Sequence, residues 1–166
     1  GSVHETLNLA ALYRLPIVFV CENNLYASHL HWSERRVKDN LDQAGAFHSI
    51  PGTRVDGNDV EAVYDAARLA VVRARTGAGP SFLECRTFRW RGHVGASSDQ
   101  DVGVRRAGEL ADWLLRDPIA RAQDRLATDL SLHSAAVDEE IRLALAAARA
   151  AATPDPQRLG RFVCAS

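Results

Sequence analysis

Apolar positions along the chain change their spacing several times, and each change marks an element. Leu7, Ala10, Ala11 and Leu12 recur at helical intervals within residues 3–14, and Pro16 closes that segment by pushing its neighbour out of helical geometry. Ile17–Cys21 is an unbroken β-branched and aromatic run, the pattern of a parallel strand buried on both faces. It stops at Glu22, and two asparagines open a stretch, 23–51, that has no sustained period and ends in Pro51-Gly52. Thr53-Arg54-Val55 predicts a short second strand, ended by the turn pair Asp56-Gly57. Asn58 is expected to cap a helix, with Glu61 three residues on completing a capping box. That helix aligns Val60, Val63, Ala67, Ala70, Val71 and Ala74 in one stripe, and Gly77 stops it. Pro80 introduces a third strand, Ser81–Phe88, followed by a polar loop over 89–103. Helical patterns then cover 105–116, 118–127 opened by Asp117-Pro118, and 134–152 with Val137, Ile141, Leu145 and Ala148 aligned. The run Thr153-Pro154-Asp155-Pro156 breaks the last of them.

Strands alternating with helices predict an α/β domain built on a parallel sheet, here with C-terminal helices. The expected division is an α/β part over residues 1–104 and a helical region over 105–166 belonging to the same domain. Ligands of such sheets bind beyond the carboxyl ends of the strands. Attention therefore falls on the loops after Cys21 and after Phe88.

Composition narrows the choice further. A net charge of −1 with 25% charged residues gives no bias toward nucleic acid. No apolar run reaches the roughly 20 residues of a membrane helix, and no secretory segment opens the sequence. Cys21, Cys85 and Cys164 stand far apart, two of them in apolar runs, and are expected to be reduced thiols of a cytoplasmic protein rather than a disulfide frame or zinc site. The sequence holds no methionine, so it is expected to begin partway through a larger fold.

In the first loop, Glu22-Asn23-Asn24-Leu25-Tyr26, an amide oxygen and backbone carbonyls are hard ligands, suited to magnesium or calcium and poor for zinc. A plain turn uses asparagine equally well. In the second, Arg89 and Arg91 at alternate positions precede Gly92-His93, a set able to hold a phosphate through charge-assisted hydrogen bonds. The same arginines suit solvent or pairing with Asp99 and Asp101, and His93 suits a buried structural role. His29 and His31 lack a third metal ligand at a useful spacing, and Ser97-Ser98-Asp99 lacks the strand–turn–helix setting of a hydrolase nucleophile. Neither a Gly-x-Gly-x-x-Gly nor a phosphate-loop lysine motif is present.

Taken in order, HETLNLAALYRLPIVFVCENNLYA, IPGTRVDGNDVEAVYDAARLAV, GPSFLECRTFRWRGH, the Asp-Val-Gly-Val-Arg at 101–105 and the Asp117-Pro118-Ile119 helix start resemble one family. It is the alpha subunit of the thiamine diphosphate-dependent decarboxylating component of 2-oxo acid dehydrogenase complexes, in its C-terminal part. The resemblance implies a thiamine diphosphate-binding fold, lacking its N-terminal portion here. It implies that Asn24 gives magnesium a side-chain oxygen and Tyr26 its backbone carbonyl. It implies that His93 reaches the diphosphate and lines the active-site entrance as the catalytic residue of this chain, with Arg89 ordering that loop. The activity implied is oxidative decarboxylation of a small 2-oxo acid with acyl transfer to a lipoyl-bearing acyltransferase. A beta subunit, in a heterotetramer with alpha, would supply the glutamate that activates the cofactor.

An acetoin-type dehydrogenase stays open, as does a non-catalytic fragment or subunit-interaction module. The family signature opens with Gly-Asp-Gly, which is absent here, so the isolated chain is expected to bind the cofactor weakly or not at all. Ala27-Ser28-His29 replaces the Met-Gly-Thr of many relatives, and Val94 stands where mitochondrial relatives carry a phosphorylatable serine.

Overall fold

The structure, a computed structural model, describes residues 1–95, 107–126, 129 and 131–157. The expected Asp99 and Asp101 partners, the Ser97-Ser98-Asp99 triplet, the 101–105 motif and Cys164 lie outside that set. The chain divides into two compact units, Gly1–Leu126 and Ala127–Ser166.

In the first unit, helix α1 (Ser2–Leu12) leads to strand β1 (Val18–Asn23). A small hairpin follows, β2 (Tyr26–Ala27) with β3 (Leu30–His31), and then three short 3-10 turns. Strand β4 (Gly52–Asp56), helix α2 (Val60–Arg75) and strand β5 (Ser81–Arg86) form a strand–helix–strand unit. The three longer strands make a parallel sheet in the order β1-β5-β4, so the last strand in sequence takes the centre. Helices α3 (Ala107–Leu114) and α4 (Pro118–Leu126) complete the unit. Asp117 caps α4, accepting from Ile119 N at 2.7 Å, as the Asp-Pro pair predicts.

The core lies between α1 and the sheet, where Leu7, Ile50 and Phe82 meet with Phe19 and Ala44 around them. The expectation of a doubly buried β1 is corrected: Val20 is 58% exposed, and the strand buried over its first five residues is β5. An apolar run shows that both faces suit burial, but β1 lies at the end of the described sheet while β5 is flanked on both edges. The α2 stripe also narrows. Ala70 and Ala74 are buried, whereas Val60 is 58% exposed because it sits in the first turn, beyond the sheet contact.

Two glycines are obligatory here. At Gly52 a Cβ would stand 1.6 Å from the Asp42 carbonyl oxygen, so only hydrogen fits where the 3-10 segment crosses β4. Gly77, at φ +74°, ends α2 in the left-handed conformation that a side chain disfavours.

The cap of α2 is Asp59, not Asn58: its Oδ1 accepts from Glu61 N and Ala62 N at 3.1 and 3.2 Å. Asn58 is withdrawn from capping because its side chain bridges Thr87 Oγ1 and the Arg116 carbonyl, at 2.9 and 2.8 Å. Glu61 turns to Arg125 at 2.6 Å rather than closing a capping box.

In the second unit, helix α5 (Ser131–Ala150) starts at Asp129, whose Oδ1 accepts Ser131 N at 2.8 Å. Its aligned Val137, Ile141 and Leu145 are each about half exposed rather than buried. No helix among the described residues is long and apolar enough to cross a membrane.

Candidate functional site

Because the sheet is parallel, the carboxyl ends of β1, β5 and β4 share one edge, where Asn23 and Asp56 both register with Arg86. The adjacent asparagines leave that edge with different tasks. Asn23 is buried; its Nδ2 donates to Glu84 Oε1 at 2.6 Å and its Oδ1 accepts Leu25 N at 3.0 Å. This local turn holds Leu25 at φ 71°, a left-handed conformation that leucine rarely adopts, and steers the chain out of the sheet. Asn24 makes a second, overlapping turn, its Oδ1 accepting Tyr26 N at 3.0 Å. An amide oxygen has two lone pairs, so Asn24 Oδ1 keeps one for a cation.

Tyr26 opens β2, which fixes the direction of its backbone carbonyl. Its hydroxyl donates to Glu109 Oε2 at 2.7 Å, and its ring meets Phe88 edge-on at 6.2 Å. Phe88 in turn stacks on Trp113 at 5.7 Å and 12°, and the Arg116 guanidinium lies 4.0 Å over that indole. Helix α3 is thereby held against both loops.

The second loop begins earlier than expected. β5 ends at Arg86 rather than running to Phe88; Thr87 still gives its N–H to the Asn23 carbonyl at 3.0 Å, and its hydroxyl turns to Asn58. Arg89 and Arg91 therefore do not continue a strand. Instead Arg89 folds back: Nη2 donates to the Ser28 carbonyl at 2.9 Å and Nε to the Arg91 carbonyl at 3.0 Å. Its Nη1 stands 3.4 Å from His93 Nδ1, with His93 exposed. One guanidinium thus ties the loop of Asn24 and Tyr26 to the loop of His93.

His29 and His31 do not form a metal site. His31 Nδ1 is 2.8 Å from Ser33 Oγ and caps the following 3-10 turn, while its ring packs on Tyr26 at 5.1 Å. Among the described residues no group of three or more His, Cys, Asp or Glu side chains could hold a metal ion. Asn24 Oδ1 and the Tyr26 carbonyl are neutral hard oxygens. Such a pair fits magnesium that takes its other oxygens from water and a phosphate, and does not fit zinc.

Residues 1–157 match the Dehydrogenase E1 component family. The chain belongs to that family. It is 39% identical to the chloroplastic pyruvate dehydrogenase E1 component subunit alpha-3 of Arabidopsis thaliana, over 96% of this chain and 38% of the relative. It is 37% identical to the pyruvate dehydrogenase E1 component subunit alpha of Rhizobium meliloti, over 95% of this chain and 45% of the relative. A third similarity, 47%, is to the alpha subunit of acetoin:2,6-dichlorophenolindophenol oxidoreductase of Bacillus subtilis, over 56% of this chain and 28% of the relative. The chain spans less than half the length of these curated relatives. Membership in the dehydrogenase family implies thiamine diphosphate as the cofactor.

In this member of the Dehydrogenase E1 component family, the groups that sequence reasoning misses sit beneath the loops. Glu84 is fully buried and accepts from three donors, Asn23 Nδ2, Asp42 N at 2.8 Å and Arg54 Nε at 2.9 Å, with Arg86 Nε 3.0 Å away as an ion pair. Arg86 Nε makes that approach without hydrogen-bond geometry, while its Nη2 pairs with Asp39. The sequence carries one sign of this network, a lone carboxylate inside an apolar strand, where burial without a partner is prohibitive.

A second ionic cluster joins β4 and α2 to α4. Arg121 bonds Asp56 and Asp59 at 2.9 and 2.8 Å, and Arg125 bonds Asp59 at 2.6 Å. Burial pushes the Asp56 carboxyl up, but the Arg121 hydrogen bond, the Asn58 N–H and Arg116 outweigh it and leave it below the usual range. Arg125 and the Ala62 N–H hold Asp59 far lower. Burial, then the Glu84 charge, pushes the Cys21 thiol up, and burial raises Cys85, so neither is a ready nucleophile.

A groove of about 450 Å³ between α2 and the sheet, lined by Pro51, Leu69, Ala70, Phe82 and Leu83, holds none of the loop residues. A smaller cleft of about 260 Å³, lined by Asn58, Thr87, Phe88 and Trp90, adjoins the second loop.

Proposed function

We propose that the protein to which this chain belongs is the alpha subunit of a thiamine diphosphate-dependent 2-oxo acid dehydrogenase of the pyruvate dehydrogenase type. The observation that carries this reading is the Arg89–Ser28 contact, which joins the two loops at the carboxyl edge of the sheet in a chain of the matching family. In this reading Asn24 Oδ1 and the Tyr26 carbonyl are magnesium ligands, and the ion and the loops together neutralise a diphosphate. Arg89 spends its donors on the Ser28 and Arg91 carbonyls, so it orders the loop, and His93 at its end faces the diphosphate and lines the entrance. Thiamine diphosphate, when bound, supplies the carbon nucleophile that releases carbon dioxide from a 2-oxo acid. The protein's part is orientation and electrostatics: two overlapping asparagine turns fix the ligands before the ion arrives, which lowers the cost of binding.

The partners in this reading are a beta subunit, forming a heterotetramer with alpha, and a lipoyl-bearing acyltransferase that takes the acyl group. The 47% identity to an acetoin dehydrogenase-type subunit favours a second reading in which acetoin replaces the 2-oxo acid. The test is to produce the full-length protein with the beta subunit and measure substrate-dependent reduction of an artificial electron acceptor. Pyruvate, branched 2-oxo acids and acetoin are the substrates to compare. Turnover of a 2-oxo acid that depends on thiamine diphosphate and magnesium is expected. Turnover of acetoin alone selects the second reading, and no cofactor-dependent turnover with any of them refutes both.

A further inference from the structure

We propose that Glu84 is a positioning residue for the cation ligands: from inside the sheet it sets the geometry of the Asn23-Asn24-Leu25-Tyr26 loop. The inference rests on the reading of Asn24 and Tyr26 as ligands and adds a buried residue that touches neither ion nor cofactor. Glu84 is 0% exposed in the central strand, and its two oxygens are filled by donors from three other segments. Oε2 accepts Asp42 N and Arg54 Nε; Oε1 accepts Asn23 Nδ2 and faces Arg86 Nε. The carboxylate accepts only, so it dictates which end of the Asn23 amide faces inward. With Nδ2 turned to Glu84, Oδ1 must point along the chain, where it captures Leu25 N at 3.0 Å.

That capture stabilises Leu25 at φ 71°, a conformation the leucine would otherwise leave. Leu25 is the hinge between the two ligands. Its setting lets Tyr26 N return to Asn24 Oδ1 at 3.0 Å, and the Leu25 carbonyl is tied in turn by Trp32 N at 2.8 Å. The chain of cause therefore runs from Glu84 to the Asn23 amide, to the Leu25 backbone, to the two ligand oxygens. Arg54 and Arg86 hold the carboxylate in place, and Arg54 is held in turn by Asp42 at 2.7 Å.

Glu84→Gln keeps the shape but places an NH2 against donors whichever way the amide turns, so it releases the Asn23 amide or the Arg54 pair. Asn23→Ala removes the same link from the other side and leaves Glu84 its remaining three partners. The experiment uses the full-length protein assembled with its partner subunit, with manganese(II) in place of magnesium. Free manganese is followed by electron paramagnetic resonance in the presence of thiamine diphosphate, and melting temperatures are recorded in parallel. Residues that orient a metal ligand typically tune affinity about 10–100-fold. Glu84→Gln and Asn23→Ala are each expected to weaken manganese binding at least about tenfold, and the double variant to weaken it no further, as two links of one chain should. Manganese affinity within twofold of the parent in either folded single variant, with only the melting temperature lowered, overturns the proposal, and so does an additive double variant. A parent that binds no manganese in a cofactor-dependent way refutes the proposed function itself, and the inference with it. Should Glu84→Gln fail to fold, Asn23→Ala alone decides the outcome.

Discussion

Asn23 and Asn24 carry the same side chain and do different work, which only their partners reveal. The first spends its amide on Glu84 and Leu25 N; the second keeps an oxygen lone pair pointing out of a turn. Arg89 is similar in spending its donors on backbone carbonyls of two loops. Arg89→Lys preserves the charge but not the fork, since one ammonium cannot reach Ser28 O and Arg91 O in the same geometry. In the assembled enzyme that change is expected to raise the cofactor concentration for half-maximal activity about tenfold while saturated turnover falls less than threefold. A titration of activity with thiamine diphosphate checks it; a pure loss of turnover at unchanged cofactor affinity counts against the loop-ordering role. The raised Cys21 and Cys85 thiols are expected to alkylate more slowly than a free thiol at pH 7.5 in the same protein, measured by mass spectrometry.

At the scale of elements, α3 and α4 are held by different physics. For α3 it is aromatic: Trp113 stacks on Phe88 under Arg116. Trp113→Ala should cost about 1–3 kcal/mol and lower the melting temperature, with Trp113→Phe recovering part of the loss. For α4 it is ionic. Asp56 and Asp59 have folded-state values below their unfolded ones, so their contribution is complete above the ordinary carboxylate range, near pH 4. It is lost as pH falls through the lowered folded values. Amide protection in α4, relative to the intrinsic exchange rate at each pH, should therefore fall below about pH 4, ahead of β5; equal protection of α4 from pH 7 to pH 2 contradicts this.

The strand–helix–strand core is legible in the sequence because its signals are local: β-branched runs, alanine spacing, Asp-Gly and Asp-Pro. The hairpin over 26–31 is not, since it depends on left-handed Leu25 and Ser28 and leaves no period. The exchange of cap from Asn58 to Asp59 is equally hidden. Both residues can cap, and the choice is made by Thr87 and Arg116, which sequence separation conceals.

Over the whole molecule, the described sheet places every proposed ligand at one edge, which the strand order of the sequence predicts in outline. Asn24, Tyr26, Arg89 and His93 were identifiable in the sequence as residues with suitable chemistry in and beside the two loops. Their meeting through Arg89 and Ser28 was not, because backbone acceptors leave no mark in a sequence. Glu84 left one sign, a carboxylate in an apolar strand, but its partners, lying between two and 61 residues away, did not show. The consequence of the proposed reading is for assembly: Asn24 and Tyr26 offer neutral oxygens, so in that reading the charge that balances the ion comes from phosphate and from groups elsewhere in the assembled protein.

The most direct test of the central claim is a calorimetric titration of thiamine diphosphate into the full-length protein assembled with its beta subunit. It is run with the beta subunit proposed above, with magnesium, with a chelator, and with magnesium for Asn24→Ala. The parent is expected to bind in magnesium, and both the chelator and Asn24→Ala to weaken binding by about a hundredfold or more. Binding by Asn24→Ala as tight as that of the parent in magnesium would contradict the placement of the cation at this loop.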